Sequence, residues 1–349
     1  MQPTQGRNRG LGLALLSAAA FGGSGVAAKP LIEAGFDPLH VVWMRVAGAA
    51  LVLLPVAVRH RALPRQRPGL VIGFGLLGIA GCQALYYAAI ARIPVGVAIL
   101  VEYLGPALLL GWVRFVQRRP VSRAAAVGVV LAVTGLAGVV EIWSGTAFAP
   151  FGLLCAFGAA CCQVAYFVLA DHGMPGPAEG GNGADGDGQG GDGADGDGET
   201  PDPAAVIAHG LIAGTLALTV VARPWNIAWT SLAHQVPLGD ADVPAILLIG
   251  WIVLVSTVVS YLTGVIAVRR LTPQIAAVVS CVEALVGTVL AWFLLGEHLG
   301  LPQILGGILV LAGAFVAQTA VPGPAPAPSP APPVPDVTPA DVPRTTRTL

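Results

Sequence analysis

Charged residues are scarce in this chain, and lysine occurs only once, as Lys29. Charged residues make up 11% of the 349 positions and hydrophobic residues make up 55%. A soluble domain carries about a quarter of its residues as charged side chains. With a mean hydropathy of +0.76, the composition excludes a soluble enzyme.

Motifs for catalysis and for metal binding are also missing. The sequence contains no HExxH pair and no Walker loop, and Gly73–Gly78 spells GxGxxG inside an apolar run with no preceding strand. The five cysteines are odd in number and show no CxxC spacing, which argues against a disulfide framework or a zinc site. We therefore expect no catalytic residues, no metal and no cofactor. Because there is no P-loop, we do not expect this chain to use ATP itself.

What the chain does contain is about ten apolar runs, each long enough to cross a hydrocarbon core of about 30 Å as a helix. Only helices satisfy their backbone hydrogen bonds within one segment, so the runs predict an all-α integral membrane protein. The predicted spans are residues 10–28, 39–58, 69–91, 94–115, 124–141, 152–170, 204–222, 243–267, 272–294 and 302–320. The first run also resembles a signal peptide, but the first half of the protein needs it as a retained helix.

A long internal repeat relates the two halves of the chain. The segment from Arg92 to Val140 matches the segment from Arg270 to Gln318, so that Gly128 falls on Gly306 and Gly135 on Gly313 without a gap. Each half contains five predicted spans, and an odd number makes the halves cross the membrane in opposite senses. The sequence thus predicts ten transmembrane helices as two inverted five-helix repeats, with a substrate site near the midplane between them.

The basic residues give the orientation, because they accumulate on the cytoplasmic side. With both termini in the cytoplasm, the outer loops hold only Lys29, Arg92 and Arg223.

We divide the chain into a first repeat (10–143), a second repeat (152–320) and a Pro/Ala-rich, disordered tail (321–349). A Gly/Asp-rich segment (173–203) interrupts the second repeat. Its Asp-Gly runs resemble calcium loops but lack the acid or apolar residues that those loops require, so a flexible cytoplasmic linker is predicted.

Three ionisable residues lie deep in the predicted spans: Arg45, Glu102 and Glu283. A charge at the bilayer centre costs about 2.5–3.5 kcal/mol, so each needs a partner or a function. Arg45 and Glu102 fall at similar depth, and we hypothesise that they pair or share a hydrogen-bonded network facing the cavity. They then act as a substrate clamp or as a permanent salt bridge between helices. Glu283 is a candidate proton carrier, and the alternative is a hydrogen bond to a neighbouring helix.

Two other polar residues in the second half are weaker candidates. Gln163 lies in the sixth span, where a lone polar side chain more often joins two helices than binds a ligand. Glu297 lies at the outer end of the ninth span, and we interpret it as an interfacial charge at a helix end.

Several short motifs resemble the EamA family of the drug/metabolite transporter superfamily. They are Trp43–Arg45, Tyr86–Ala89, Arg92–Pro94 and Leu104–Pro106 in the first half, and Arg270–Thr272, Val282–Glu283 and Leu294–Glu297 in the second. The segment Val101–Pro106 is similar to that of threonine/homoserine-exporter-like members. Two positions depart from the family pattern: Ala284 replaces a proline and Gln163 replaces a tryptophan.

The resemblance implies a secondary transporter of the plasma membrane that exports a small polar metabolite by alternating access, with an amino acid such as threonine or homoserine as the substrate. Tyr86, from the tyrosine pair, joins Arg45, Glu102, Glu283 and Gln163 as a candidate for substrate binding or coupling. The expected partners are the lipid bilayer and a small-molecule substrate, with protons as a candidate coupling ion and a homodimer as a candidate assembly. Nothing indicates a nucleic-acid partner. The alternatives are a nucleotide-sugar or drug transporter of the same superfamily, an intramembrane enzyme, or a non-transporting scaffold.

Overall fold

The computed structural model describes residues 3–118, 121–141, 149–173, 202–239, 241–268 and 273–319. The predicted linker, apart from its first and last residues, and the predicted tail lie outside these residues. The described part of the chain is almost entirely helical, as the apolar runs predict.

The described residues of the first half form nine α-helices and one π-helix. They are α1 (Pro3–Glu33), α2 (Pro38–Val52), α3 (Leu54–Arg59), α4 (Leu63–Gln66), α5 (Pro68–Gly73), the first π-helix (Phe74–Gly81), α6 (Cys82–Ile90), α7 (Val95–Glu102), α8 (Gly105–Phe115) and α9 (Arg123–Val140). The N-termini of α2 and α9 are capped by the side chains of Asp37 and Ser122, which accept hydrogen bonds from Leu39 N and Ala125 N.

Within the part of the second half that the structure describes there are six α-helices, a second π-helix and a short hairpin. They are α10 (Pro150–Gly173), α11 (Pro203–Ala222), strands β1 (Gln235–Leu238) and β2 (Ala241–Pro244), α12 (Ala245–Val253), the second π-helix (Leu254–Val259), α13 (Ser260–Val268), α14 (Pro273–Leu295) and α15 (Leu301–Thr319). Two single turns of 3₁₀ helix, Pro224–Asn226 and Trp229–Ala233, precede the hairpin.

The hairpin is a departure from the all-α prediction. Strands β1 and β2 pair antiparallel, with Leu238 opposite Ala241, and Gly239 adopts a positive φ of 61° at the turn. Four-residue strands carry too little alternating pattern to stand out beside long apolar runs, which explains why the sequence did not indicate them.

Six of the described helical segments are long and apolar enough to span a bilayer. They are Gly10–Glu33, Pro68–Ile90, Val95–Phe115, Arg123–Val140, Pro203–Ala222 and Ala245–Ala267. Four shorter apolar helices accompany them: Pro38–Val52, Pro150–Ala165, Cys281–Leu295 and Leu301–Ala317. Length and composition thus define a multi-span membrane protein.

Helices α9 and α15 pack through the glycines that the repeat aligns. A Cβ atom added to Gly135 would lie 2.6 Å from the carbonyl oxygen of Gly306, and one added to Gly128 would lie 2.9 Å from that of Gly313. Gly135 thus contacts Gly306, which is the repeat mate of Gly128, and Gly128 contacts Gly313, which is the repeat mate of Gly135. Such small residues allow two membrane helices to approach at backbone distance.

The two π-helices occupy corresponding positions in the two halves. Extending the alignment of Arg92 with Arg270 upstream puts Leu76 on Leu254 and Gly81 on Val259, both within the π-helical segments. A π-helix widens the turn and commonly occurs at functional sites. The second one contacts α1 and α2 beside the cavity described next.

Candidate functional site

A small polar cavity lies among α1, α2, α6, α7 and α14. It is lined by Phe21, Gly22, Ser24, Arg45, Gln83, Tyr86, Ile99, Glu102, Tyr103 and Glu283. The first nine residues come from the first half of the chain, and Glu283 comes from the second. The cavity therefore brings together one guanidinium and two carboxylates at a place where both halves contribute.

Arg45 is buried, with 2% of its surface exposed, and hydrogen bonds hold it on several sides. Its donors reach Thr257 Oγ1 (2.8 Å), Gln83 Oε1 (2.8 Å), Ser24 Oγ (2.5 Å), Tyr87 OH (3.1 Å) and the carbonyl oxygen of Ser256 (3.3 Å). Its guanidinium carbon also lies 5.7 Å from the centroid of the Tyr87 ring. One side chain of α2 thereby joins α1, α6 and the second π-helix.

The predicted ion pair between Arg45 and Glu102 is not formed within the described part of the chain. The physical reason is that neutral oxygens already surround the guanidinium. Of its five N–H groups, Nε uses one, Nη1 faces three acceptors with its two, and Nη2 faces the Ser256 carbonyl. At most one N–H group is left for another partner. Arg45 and Glu102 do share the same cavity.

Glu102 lies where the fourth apolar segment breaks. It is the last residue of α7, and α8 begins at Gly105 after two residues of non-helical turn. The break has a local cause: Pro106 lacks the N–H that would bond to the carbonyl of Glu102 one turn earlier. The Glu102 carboxylate accepts a hydrogen bond from Cys82 Sγ at 3.4 Å, and it faces the cavity.

Glu283 lies on α14, opposite the glycines of α1. A Cβ atom added to Gly22 would be 2.7 Å from the carbonyl oxygen of Glu283 and 2.9 Å from the nitrogen of Gly287, so α1 and α14 cross at backbone distance here. Within the described residues, the carboxylate of Glu283 forms no hydrogen bond or ion pair, and it faces the cavity. It is thus open to an exchangeable ligand.

The two remaining candidates, Tyr86 and Gln163, differ in their position relative to the cavity. Tyr86 lines the cavity and is 7% exposed. Gln163 does not line it. Its side-chain oxygen packs against Gly105 at the break between α7 and α8, as a residue that joins two helices does. Gln163 thus does not line the cavity in this conformation, and its role in substrate binding or coupling stays a prediction.

Sequence reasoning missed Gln83 and Tyr103 as lining residues and Tyr87 and Thr257 as partners of Arg45. Gln83 carried a usable signal, because a polar residue in an apolar span one turn before Tyr86 and Tyr87 lies on the same helix face. Thr257 carried none, since a threonine in an apolar helix commonly bonds to its own backbone. It does so here as well, to the carbonyl of Ile252 at 2.8 Å.

The cavity is small in this conformation. Its volume is about 50 Å³, enough for a few water molecules, whereas pockets for small ligands measure about 300–1,000 Å³. An amino-acid-sized molecule therefore enters only after the surrounding helices move apart.

Two charged side chains hold the turn between α6 and α7. Glu297 accepts hydrogen bonds from Val95 N (2.7 Å) and Gly96 N (3.1 Å), which are the first N–H groups of α7. Lys29 of α1 donates to the carbonyls of Ile90 (2.7 Å) and Ile93 (3.1 Å), at the end of α6. Each charge complements the helix end that it meets.

No group of three or more His, Cys, Asp or Glu residues that could hold a metal ion occurs among the described residues. The arrangement is therefore a polar cavity buried between apolar helices. A broken helix and a charged residue lie at its wall, as in proteins that carry solutes across membranes.

Comparison with known proteins supports this interpretation of the fold and cavity. The model of the EamA-like transporter family matches residues 8–141 and 198–319. The chain is 26% identical over 310 residues to the threonine/homoserine exporter RhtA of Escherichia coli K12, covering 88% of this chain and 90% of the relative. It is 26% identical over 278 residues to the RhtA of Salmonella typhimurium LT2, covering 78% and 79%.

A protein of known crystal structure has the same fold. It superposes with a TM-score of 0.52 at 18% identity, over 90% of this chain and 96% of its own. The fold and the buried polar cavity define an integral membrane transporter. The chain belongs to the EamA-like transporter family, which confirms the resemblance found in its motifs.

Proposed function

We propose that this protein is a secondary transporter that exports an amino acid, such as threonine or homoserine, across the plasma membrane. The observation that carries the proposal is the cavity itself, where Arg45, Glu102 and Glu283 meet among helices of both halves. Intramembrane charges facing a common space mark a substrate or ion pathway. The curated relatives are named as threonine/homoserine exporters, and that name supplies the substrate to be tested first.

Alternating access requires two halves that rearrange around a central site, and we propose ten transmembrane helices in two inverted repeats, 10–143 and 152–320. The six long apolar segments and the four shorter apolar helices among the described residues support this count. Two further observations support the inversion: the reciprocal glycine contacts between α9 and α15, and the paired π-helices. Both termini then lie in the cytoplasm, in agreement with the distribution of basic residues.

Energy for export comes, in this proposal, from an ion gradient, with protons as the coupling ion. Glu283 is the proposed proton carrier, because its carboxylate faces the cavity without a hydrogen-bonding partner in the described part of the chain. The cavity offers no set of nucleophile, base and oxyanion donors, so we favour transport over intramembrane catalysis. The bilayer and the substrate are the proposed partners, and a homodimer is the proposed assembly.

The test is transport by the purified full-length protein in proteoliposomes. Vesicles loaded with labelled L-threonine or L-homoserine should release it faster than protein-free vesicles, and an imposed proton gradient should change the rate. Glu283→Gln should bind substrate but lose the response to the gradient. Retention of the response would disprove the proton role. If no amino acid, nucleotide sugar or drug moves under any gradient, the transporter proposal is wrong. Movement of a nucleotide sugar or drug alone would replace the amino acid as substrate.

A further inference from the structure

The state of Arg45 limits how the cavity can recognise an amino acid. A guanidinium binds a carboxylate best with two parallel N–H groups. Arg45 has at most one N–H group left, because Ser24, Gln83, Tyr87, Thr257 and the Ser256 carbonyl surround the others. A fork toward a substrate carboxylate would require breaking bonds that join α2 to three other helical segments. Arg45 is therefore poorly placed to act as a carboxylate clamp.

The acceptors at the other wall remain available. Among the described residues, the Glu102 carboxylate receives one hydrogen bond, from the weak thiol donor Cys82, and so it retains lone pairs toward the cavity. Its backbone carbonyl lies at the C-terminal end of α7, where Pro106 cannot donate to it. The carboxylate and the negative end of the α7 dipole both favour a cation at this point.

We propose that the cavity recognises its substrate through a primary ammonium group, which binds to Glu102 at the broken end of α7. Arg45 is a positioning residue that holds the cavity walls together and does not bind the substrate carboxylate. This inference rests on the proposed transport function and narrows its substrate class. The ligands are small primary amines, including amino acids and their amides, and molecules with a blocked amine are excluded.

The inference predicts different binding for two analogues of threonine, each of which lacks one of its two charged groups. L-threoninamide keeps the ammonium and lacks the carboxylate, whereas N-acetyl-L-threonine keeps the carboxylate and lacks the ammonium. Because a hydrogen bond to a charged group contributes about 1.5–3 kcal/mol, we expect N-acetyl-L-threonine to bind roughly 10- to 100-fold more weakly than L-threoninamide.

Two measurements on the full-length protein test it. The first is competition of each analogue against efflux of labelled L-threonine from proteoliposomes. The second is the thermal unfolding midpoint of the detergent-purified protein with each analogue, which requires no transport. L-threoninamide should compete with efflux and raise the midpoint, and N-acetyl-L-threonine should do neither.

Variants then locate the effect. Glu102→Gln should lose the stabilisation by L-threoninamide. Asp242→Asn, a matched loss of charge at an exposed position of β2, should keep it. The inference would be overturned if N-acetyl-L-threonine stabilised the protein, or if neither analogue did. It would also be overturned if L-threoninamide stabilised Glu102→Gln as much as the wild type. Failure of threonine transport alone would overturn the proposed function, while the unfolding measurement still decides the amine inference.

Discussion

The carboxylate of Glu297 lies 2.7 Å from the backbone nitrogen of Val95, although 202 positions separate the two residues in the chain. Glu297 follows the last turn of α14, which carries Glu283, and Val95 begins α7, which ends at Glu102. The contact therefore connects the helices that carry the two carboxylates of the cavity. It also explains why an acidic side chain stands at position 297, because the first N–H groups of a helix need an acceptor.

Glu297→Ala removes that cap and should lower the free energy of unfolding by about 1 kcal/mol, in the range measured for helix N-caps. Glu297→Gln keeps an acceptor oxygen without the charge and should lose less. Thermal unfolding of the purified proteins measures both. Equal stability of Glu297→Ala and wild type would show that the contact contributes nothing. Asp242→Asn, which removes an exposed carboxylate on β2, serves as the control.

Lys29 makes the complementary contact at the end of α6, and we expect its replacement to destabilise the protein. Its amine donates to the carbonyls of Ile90 and Ile93, and hydrogen bonds to a charged group contribute about 1.5–3 kcal/mol. Lys29→Met keeps the aliphatic stem and loses both bonds, so its unfolding midpoint should fall. Lys29→Arg should recover part of the loss. An unchanged midpoint in Lys29→Met would contradict the role.

Much of the architecture follows from the sequence, and the limits have physical causes. The apolar runs predict where helices lie, because burying backbone groups in a bilayer leaves few other structures. The cost of a membrane charge points to Arg45, Glu102 and Glu283, and all three line one cavity. The partners of Arg45 were not predictable, since they are neutral groups whose position depends on how four helical segments are rotated. The π-helices carried no residue signal.

Gln163 and Glu297 illustrate the same limit in opposite directions. Gln163 was a weaker candidate for substrate binding, and its side-chain oxygen packs against Gly105. Glu297 looked like a simple interfacial charge, yet it caps a helix of the other half. A sequence identifies unusual residues in a membrane span, but the facing helix decides what they do.

Arg45→Met should be among the most damaging single substitutions in the chain. It leaves Gln83 and Thr257 without the donor that Arg45 supplies, and each unsatisfied buried group costs about 1–3 kcal/mol. We expect a loss of several kcal/mol of stability and a lower yield from membranes. Arg45→Lys keeps the charge with fewer donors and should fold better. Bound L-threoninamide should still stabilise Arg45→Lys, and its failure to do so would indicate direct substrate contact.

Substitution at Gly135 tests the packing of α9 on α15. A Cβ atom there would lie 2.6 Å from both the carbonyl oxygen of Gly306 and the nitrogen of Val310. Gly135→Ala should therefore push the helices apart and destabilise the protein by about 1–3 kcal/mol, as overpacking does. Gly111→Ala is the matched control, because nothing lies within 4 Å of a Cβ atom at that position. Equal unfolding midpoints for the two variants would contradict the close crossing.

The crossing of α1 and α14 at Gly22 should affect transport more than the α9–α15 crossing does. A Cβ atom at Gly22 would lie 2.7 Å from the backbone carbonyl of Glu283, so it displaces the segment that carries the proposed proton site. Gly22→Ala should reduce threonine efflux from proteoliposomes at least tenfold, if Glu283 must be held within about 1 Å of its working position. Gly12→Ala on the same helix meets nothing within 4 Å and should transport normally. Normal efflux in Gly22→Ala, with the gradient response intact, would show that transport does not depend on the close crossing of α1 and α14.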